Sequence, residues 1–472
     1  RTMEKKRGIS KIGLIALVVS SSIGSGIFGI TNDLAMSAAP GPAIIAWIIV
    51  GIGILALVLS LNNLGAKRPD LDGGIFGYAE AAFGKLGGFI SGWGYWLSAW
   101  LGNVAFATML MSAIGEFIPA FKGGQNIPSI LLASVFIWVL TFLVNNGIES
   151  ASFINTIVTI CKLVPLFLFM VIALVSFHVD IFSADFWGNV SSSLQSGASV
   201  SLWSQIKGCL MVMMWVFVGI EGASVLANRA EKRSDAQKAS VIGLLSLLVI
   251  YVLASLLPYG VMSQAELMAL PQPAMANILR YMVGEWGAAF INIGLIISII
   301  GCWLSWTMLP VETTLLMSRD GMLPKSWGKV NRKQAPSYSL FITAALTNVF
   351  LLTFLVTDYA YQFAYSMCTA AILICYLLVG IYQMIYSYQQ KDNKQLFIGA
   401  VATAFQIIGI TLAGFAYVLL CSIAYLPGFY FYLRACKENN YQISDRQKMV
   451  MAVVSLAAVL SIVAIATGMI SV

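Results

Sequence analysis

A chain of 472 residues that is 59% hydrophobic and only 10% charged falls far below the roughly one-quarter charged residues of a soluble domain, which excludes water as its main environment. The formal net charge of +7 raises nucleic-acid binding, but the basic residues are scattered between apolar segments, and that distribution argues against it. One histidine, His178, set in a loop, and seven cysteines without a CxxC spacing leave no histidine relay, metal site or disulfide framework, and the cysteines read as buried structural thiols.

Crossing a bilayer core takes about 20 apolar residues in a helix. Residues 1–10 form a short cytoplasmic lead, in which Met3 reads as the natural start. The apolar run after it lacks a signal-peptide cleavage pattern and is expected to be retained. Spans are predicted at 11–37, 41–64, 85–118, 127–144, 151–177, 201–226, 238–262, 286–317, 337–357, 360–388, 396–412, 414–434 and 447–470. The division at Leu412-Ala413-Gly414 is the narrowest of these. With it the count is thirteen, without it twelve. The first ten spans (11–388) form two five-span blocks, 11–177 and 201–388, followed by the pair at 396–434 and an additional C-terminal helix at 447–470 to which no function is assigned. No stretch remains for a soluble domain. With the N-terminus cytoplasmic, only Lys122 and Arg280 of the 27 Lys and Arg fall in external loops, and Lys162 and Lys207 within spans. The rest lie on the cytoplasmic side, as the positive-inside rule requires.

Two spans are interrupted by glycine. The first carries Gly24-Ser25-Gly26 at its middle, the sixth Gly219-Ile220-Glu221-Gly222. Irregular backbone at membrane depth survives only where protein or a water-filled cavity surrounds it. Glycine alone also marks close helix packing, but interruptions at matching places in consecutive blocks point to an inverted-repeat transporter site. Unwinding at 24–26 frees N–H groups at the start of a half-helix, which suit a carboxylate. Unwinding at 219–222 frees carbonyls that accept from an α-ammonium. A zwitterionic amino acid fits both, with no metal or other cofactor.

Four charges lie inside spans, namely Lys162, Lys207, Glu221 and Glu312, and an intramembrane charge is a functional-site hypothesis by default. Glu221 either gates or carries a proton, or only hydrogen-bonds loosened backbone. Lys162 is either paired within the bundle or a fixed ammonium in place of a coupling cation, which removes the need for sodium. Lys207, near the external end, snorkels. Glu312, six residues beyond Trp306, sits below the site on a cytoplasmic path or pairs with Lys162. Trp215 and Trp306 are mid-span, where a ring face attracts guanidinium or ammonium unless it merely packs; Val218 shares the substrate-facing stretch of the sixth span. HExxH, GxSxG and clustered His/Asp do not occur, so a membrane enzyme is not expected. A receptor or scaffold would leave the buried charges beside broken helices unexplained.

GSGIF in the first span, YWLSAWLGNVA in the third, WVFVGIEGASV in the sixth and SWTMLPVETTLLMSRDGMLP in the eighth resemble the amino acid–polyamine–organocation superfamily. Within it they resemble the basic amino acid/polyamine antiporters, over residues 8–435. DLDGGI at Asp70–Ile75 looks like the same segment of bacterial arginine/ornithine antiporters. The resemblance implies an all-α polytopic membrane protein of the leucine-transporter type, a 5+5 inverted repeat with broken first and sixth helices. Twelve core helices are implied, here with a thirteenth, in a bacterial inner membrane and in many members as a homodimer. It implies that Gly24, Ser25 and Gly26 bind the substrate carboxylate, that Trp215 forms an aromatic lid, and that Glu221 gates. Trp306 would stack on the guanidinium, Ser98, Ala99 and Asn103 would supply third-helix contacts, and Cys368 stands where related exchangers carry serine. Glu312 replaces a neutral residue of those exchangers and Ala99 a cysteine, and both changes bear on the distal pocket. A lysine matching Lys162 occurs in proton-coupled members. The implied function is exchange of arginine for ornithine by alternating access, with amino acids or amines as the only small-molecule partners. Exchange of another amino acid with its decarboxylation product (histidine/histamine or agmatine/putrescine) and proton-coupled symport stay open.

Overall fold

The computed structural model describes residues 8–188, 201–357 and 360–470; Met3 and the basic residues Arg1, Lys5, Lys6 and Arg7 lie outside the described residues. The first block contains α1 (Lys11–Ser22), α2 (Gly26–Ala35), α3 (Pro40–Lys67), α4 (Ile75–Gly115), α5 (Ile127–Asn145) and α6 (Ile148–Val175). The second contains α7 (Leu202–Trp215), α8 (Gly222–Val225), α9 (Asp235–Leu256), α10 (Ala274–Val283), α11 (Glu285–Arg319), α12 (Ser337–Leu352) and α13 (Ala360–Gln389). α14 (Asn393–Ala413), α15 (Phe415–Glu438) and α16 (Asp445–Ala466) follow. Among the described residues eleven helices are long and apolar enough to cross a membrane, and α1 with α2, bent by 45° at their break, make a twelfth. The sixth expected span appears as the 14-residue α7, a turn over 216–221 and the four-residue α8.

The helices are turned as lipid demands. On α6, Phe153, Ile157, Ile160, Val164, Phe167 and Val171 are each at least half exposed, while Ser152, Asn155, Thr159 and Lys162 are buried. Both sets recur every three or four residues, the spacing of one helix face. The apolar stripe is outermost and the polar one innermost, which is stable only when the surroundings are hydrocarbon. α4 packs against α11 and α13, and α1 against α6, α9 and α11, so the broken first helix sits at the centre. α16 packs on α15 and leaves Val453, Leu456, Val459 and Val463 exposed.

Loop contacts sort the two ends of the bundle. At one end Lys67 meets Asp392 at 3.1 Å, Arg233 meets Asp72 at 3.0 Å, and Asn331 donates to the Asn145 carbonyl at 2.6 Å. Arg68 also grips Asp70 there at 2.8 Å, which holds that carboxyl below its usual range. At the other end the His178 N–H donates to the Gly260 carbonyl and the Gly41 N–H to that of Phe186, both at 2.8 Å.

Two expectations are revised and one is upheld. The third helix begins at Ile75 rather than 85, because Gly84 at φ +84° kinks it without ending it. The narrow division near 412–414 is real, with α14 ending at Ala413 and α15 beginning at Phe415. Six cysteines are buried, but Cys161 is exposed, next to Ile160 on the outer face of α6, and all seven are free.

Candidate substrate site

Breaking a helix strands carbonyls that the next turn would have capped, and buried ones need partners. At the first break the partners are side chains of α6 and α11. Lys162 donates from Nζ to the carbonyls of Ile23 at 2.9 Å, Ser298 at 3.2 Å and Ser20 at 3.3 Å, and to Ser20 Oγ at 3.1 Å. Ser298 Oγ donates to the Gly24 carbonyl at 2.8 Å, and Trp306 Nε1 to that of Ser21 at 2.9 Å. The acceptors of the break are therefore satisfied from behind. Its donors are not: α2 starts after Ser25 without a side-chain cap.

The second break is wired around Glu221, which is wholly buried. Its carboxylate accepts from Tyr95 OH at 3.0 Å, from the Gly219 N–H at 3.2 Å and from Tyr376 OH. Gly219 sits at φ +111°, and a Cβ there would stand 2.7 Å from the Ser21 backbone. Only glycine permits this approach of the two breaks, and Ser21 Oγ closes it by donating to the Gly219 carbonyl at 2.8 Å.

A narrow cavity lies against both breaks. Of the expected residues, Gly24, Ser25 and Gly26 line it from the first helix, and Ser98 and Ala99 from α4. Trp215, Val218, Trp306 and Cys368 line it as well. Ser98 spends its hydroxyl on the Cys368 carbonyl at 2.7 Å. Trp306 packs on Tyr95 with ring centroids 5.8 Å apart, and Trp215 on Tyr365 at 5.1 Å.

Four expected residues lie off the cavity wall. Asn103 faces α11 and donates to the Trp306 carbonyl at 3.2 Å. Lys162 stands behind the break, and Glu221 points into the tyrosine pair rather than the cavity. The expected free carbonyls at 219–222 are also absent from the wall: those of Gly219 and Glu221 already accept bonds, and the turn contributes Val216 and Val218 instead. Glu312 does not pair with Lys162. α11 runs unbroken through Pro310, so the 14 residues from Ser298, beside Lys162, to Glu312 span about 21 Å at 1.5 Å per residue. Arg229 pairs with it instead, Nε to Oε2 at 2.8 Å.

Nothing in the sequence singles out Ser22, Phe106, Met109 or Tyr365, which also line the cavity. Ser22 Oγ is buried without a protein partner. Tyr95 and Tyr376 carry a signal that helical spacing exposes: they lie three residues before Ser98 and eight after Cys368, on the same helix faces. The cavity continues into a wider, more open space bordered by Asp33, Glu116, Gln272 and Tyr361. Among the described residues its lining includes these two carboxylates and no Lys or Arg.

Residues 9–433 match the amino acid permease family. The chain is 57% identical to an arginine/ornithine antiporter of Latilactobacillus sakei, over 99% of both chains. It is 39% identical to an arginine/ornithine antiporter of Pseudomonas aeruginosa over 95% of both. It is 36% identical to an arginine/agmatine antiporter of Chlamydia caviae, over 98% of this chain and 97% of that one.

Proposed function

Because the chain belongs to the amino acid permease family of the amino acid–polyamine–organocation superfamily, we propose that it is an antiporter exchanging arginine for ornithine. The observation that carries this reading is one cavity holding both the uncapped start of α2 and the rings of Trp215 and Trp306. The α2 start suits the substrate carboxylate. The ring faces suit a guanidinium or ammonium, most strongly once water is excluded. The acidic mouth adds a field that concentrates cations at the entrance.

The two broken helices, α1–α2 and α7–α8, open five-span blocks of opposite orientation, and α7–α8 is the thirteenth crossing. The end carrying Lys67, Arg68, Arg233 and Lys325 is cytoplasmic by its excess of basic residues. The cavity then faces outward, and Glu221 with its tyrosines lies behind its lining, on the inner side. Lys162 fills with one ammonium the place beside the break where a coupling cation would sit.

Liposomes loaded with ornithine should take up labelled arginine many-fold faster than empty ones, and equally fast when potassium replaces sodium. Uptake that ignores the internal load contradicts exchange. Uptake that collapses without sodium contradicts the role of Lys162.

A further inference from the structure

Arg229 and Glu312 lie away from the cavity and form the most buried ion pair among the described residues, with side chains 10% and 3% exposed. Arg229 follows α8 by one turn, at the end of the broken sixth helix. Its guanidinium reaches three places: Glu312 Oε2 on α11 at 2.8 Å, Glu149 Oε1 at the start of α6 at 3.5 Å, and the Gln334 carbonyl at 2.9 Å. Its backbone is held as well. The Ile9 N–H donates to the Arg229 carbonyl at 2.8 Å, and the Glu231 N–H to that of Ile9 at 2.9 Å, so the segment entering α1 is tied to the segment leaving α8.

Glu312 shares α11 with Trp306 and lies about 9 Å further towards the Arg319 end, six residues at 1.5 Å each. An opening of the cavity at that end in which the α8 segment leaves α11 would part Arg229 from Glu312. Removing one partner of a buried ion pair leaves the other uncompensated, at a cost of several kcal/mol. A substrate bearing guanidinium or ammonium is a chemical equivalent of the departing group.

We propose that Glu312 is a second cation station on the cytoplasmic release path, filled by the Arg229 guanidinium while the path is closed and by the substrate's own guanidinium or ammonium when it opens. This rests on the exchange reading and deepens it. An empty carrier would have to open with Glu312 bare, so the station also disfavours empty return, and that makes exchange obligatory.

The test uses Glu312→Gln in liposomes of determined sidedness, with arginine half-saturation measured on each face while ornithine saturates the other. On the Arg229 face it should rise about tenfold, the equivalent of roughly 1.4 kcal/mol, and on the opposite face it should stay within about twofold of wild type. Efflux of preloaded arginine into substrate-free buffer should increase. If Glu312→Gln fails to reach the membrane, the double variant Arg229→Met with Glu312→Met removes both charges together and leaves none bare. It should show the same one-sided change. Half-saturation altered equally on both faces, or on neither, overturns the station. Wild-type uptake that ignores internal ornithine strikes the exchange reading instead, whatever Glu312→Gln does.

Discussion

Trp306→Ala will nearly abolish exchange of cationic substrates, while Trp306→Phe will keep part of it. The ring lines the cavity and is fixed twice, by Nε1 donating to the Ser21 carbonyl at 2.9 Å and by packing on Tyr95 at 5.8 Å. A desolvated cation–π contact is worth about 2 kcal/mol, or roughly thirtyfold in affinity. Alanine loses that contact and also leaves the Ser21 carbonyl without its donor, beside the break that must keep its shape. Phenylalanine keeps a ring face and loses only the donor, a net hydrogen bond of about 1 kcal/mol. Half-saturation and turnover in liposomes check this, and an unchanged half-saturation in Trp306→Ala would remove the ring from the site.

Glu221→Gln will still bind substrate but exchange slowly, with a flattened pH profile, and Glu221→Ala will be worse. The carboxylate accepts three bonds, from Tyr95, Tyr376 and the Gly219 N–H. Glutamine offers one acceptor and one donor end. With its carbonyl at the Oε2 place it still accepts from Tyr376 and the Gly219 N–H, and its amide faces the Tyr95 hydroxyl, which turns to accept, so the bonds survive but lose their charge. Bonds to a charged group contribute about 1.5–3 kcal/mol against about 1 for neutral ones, so losing the charge costs on the order of 1–2 kcal/mol, a slowing of roughly ten- to thirtyfold if it falls on reorientation rather than binding. Alanine strips all three donors of their acceptor. Calorimetry beside exchange over a pH series separates the two steps. Wild-type turnover with an unaltered pH profile in Glu221→Gln would make the residue structural.

What the sequence reveals here is what can be carried by a short stretch of chain. Gly24-Ser25-Gly26 and Gly219–Gly222 mark breaks because glycine inside an apolar span is a local signal, and Lys and Arg between spans sort the ends for the same reason. The partners of each buried charge are not local. Tyr95 and Tyr376 stand 126 and 155 residues from Glu221, and Arg229 stands 83 from Glu312. Arg229 also counts as one more basic residue in a loop, which hides it as a partner. The direction of a break is equally illegible: whether the 219–222 carbonyls face the cavity depends on where Ser21 Oγ lies, and they are turned away from it. Boundaries fail where a glycine bends without stopping a helix, as Gly84 does in α4.

The proposed cavity would grip a cationic amino acid by both ends, and calorimetric competition among arginine, agmatine and citrulline on the purified protein tests this directly. Agmatine lacks the carboxylate that the α2 start would hold, and citrulline lacks the cation that Trp306 would face. Arginine should bind most tightly, and citrulline weaker by roughly tenfold or more, the cation–π share alone being about 2 kcal/mol. Citrulline binding as tightly as arginine would show that the cavity does not grip the cationic end.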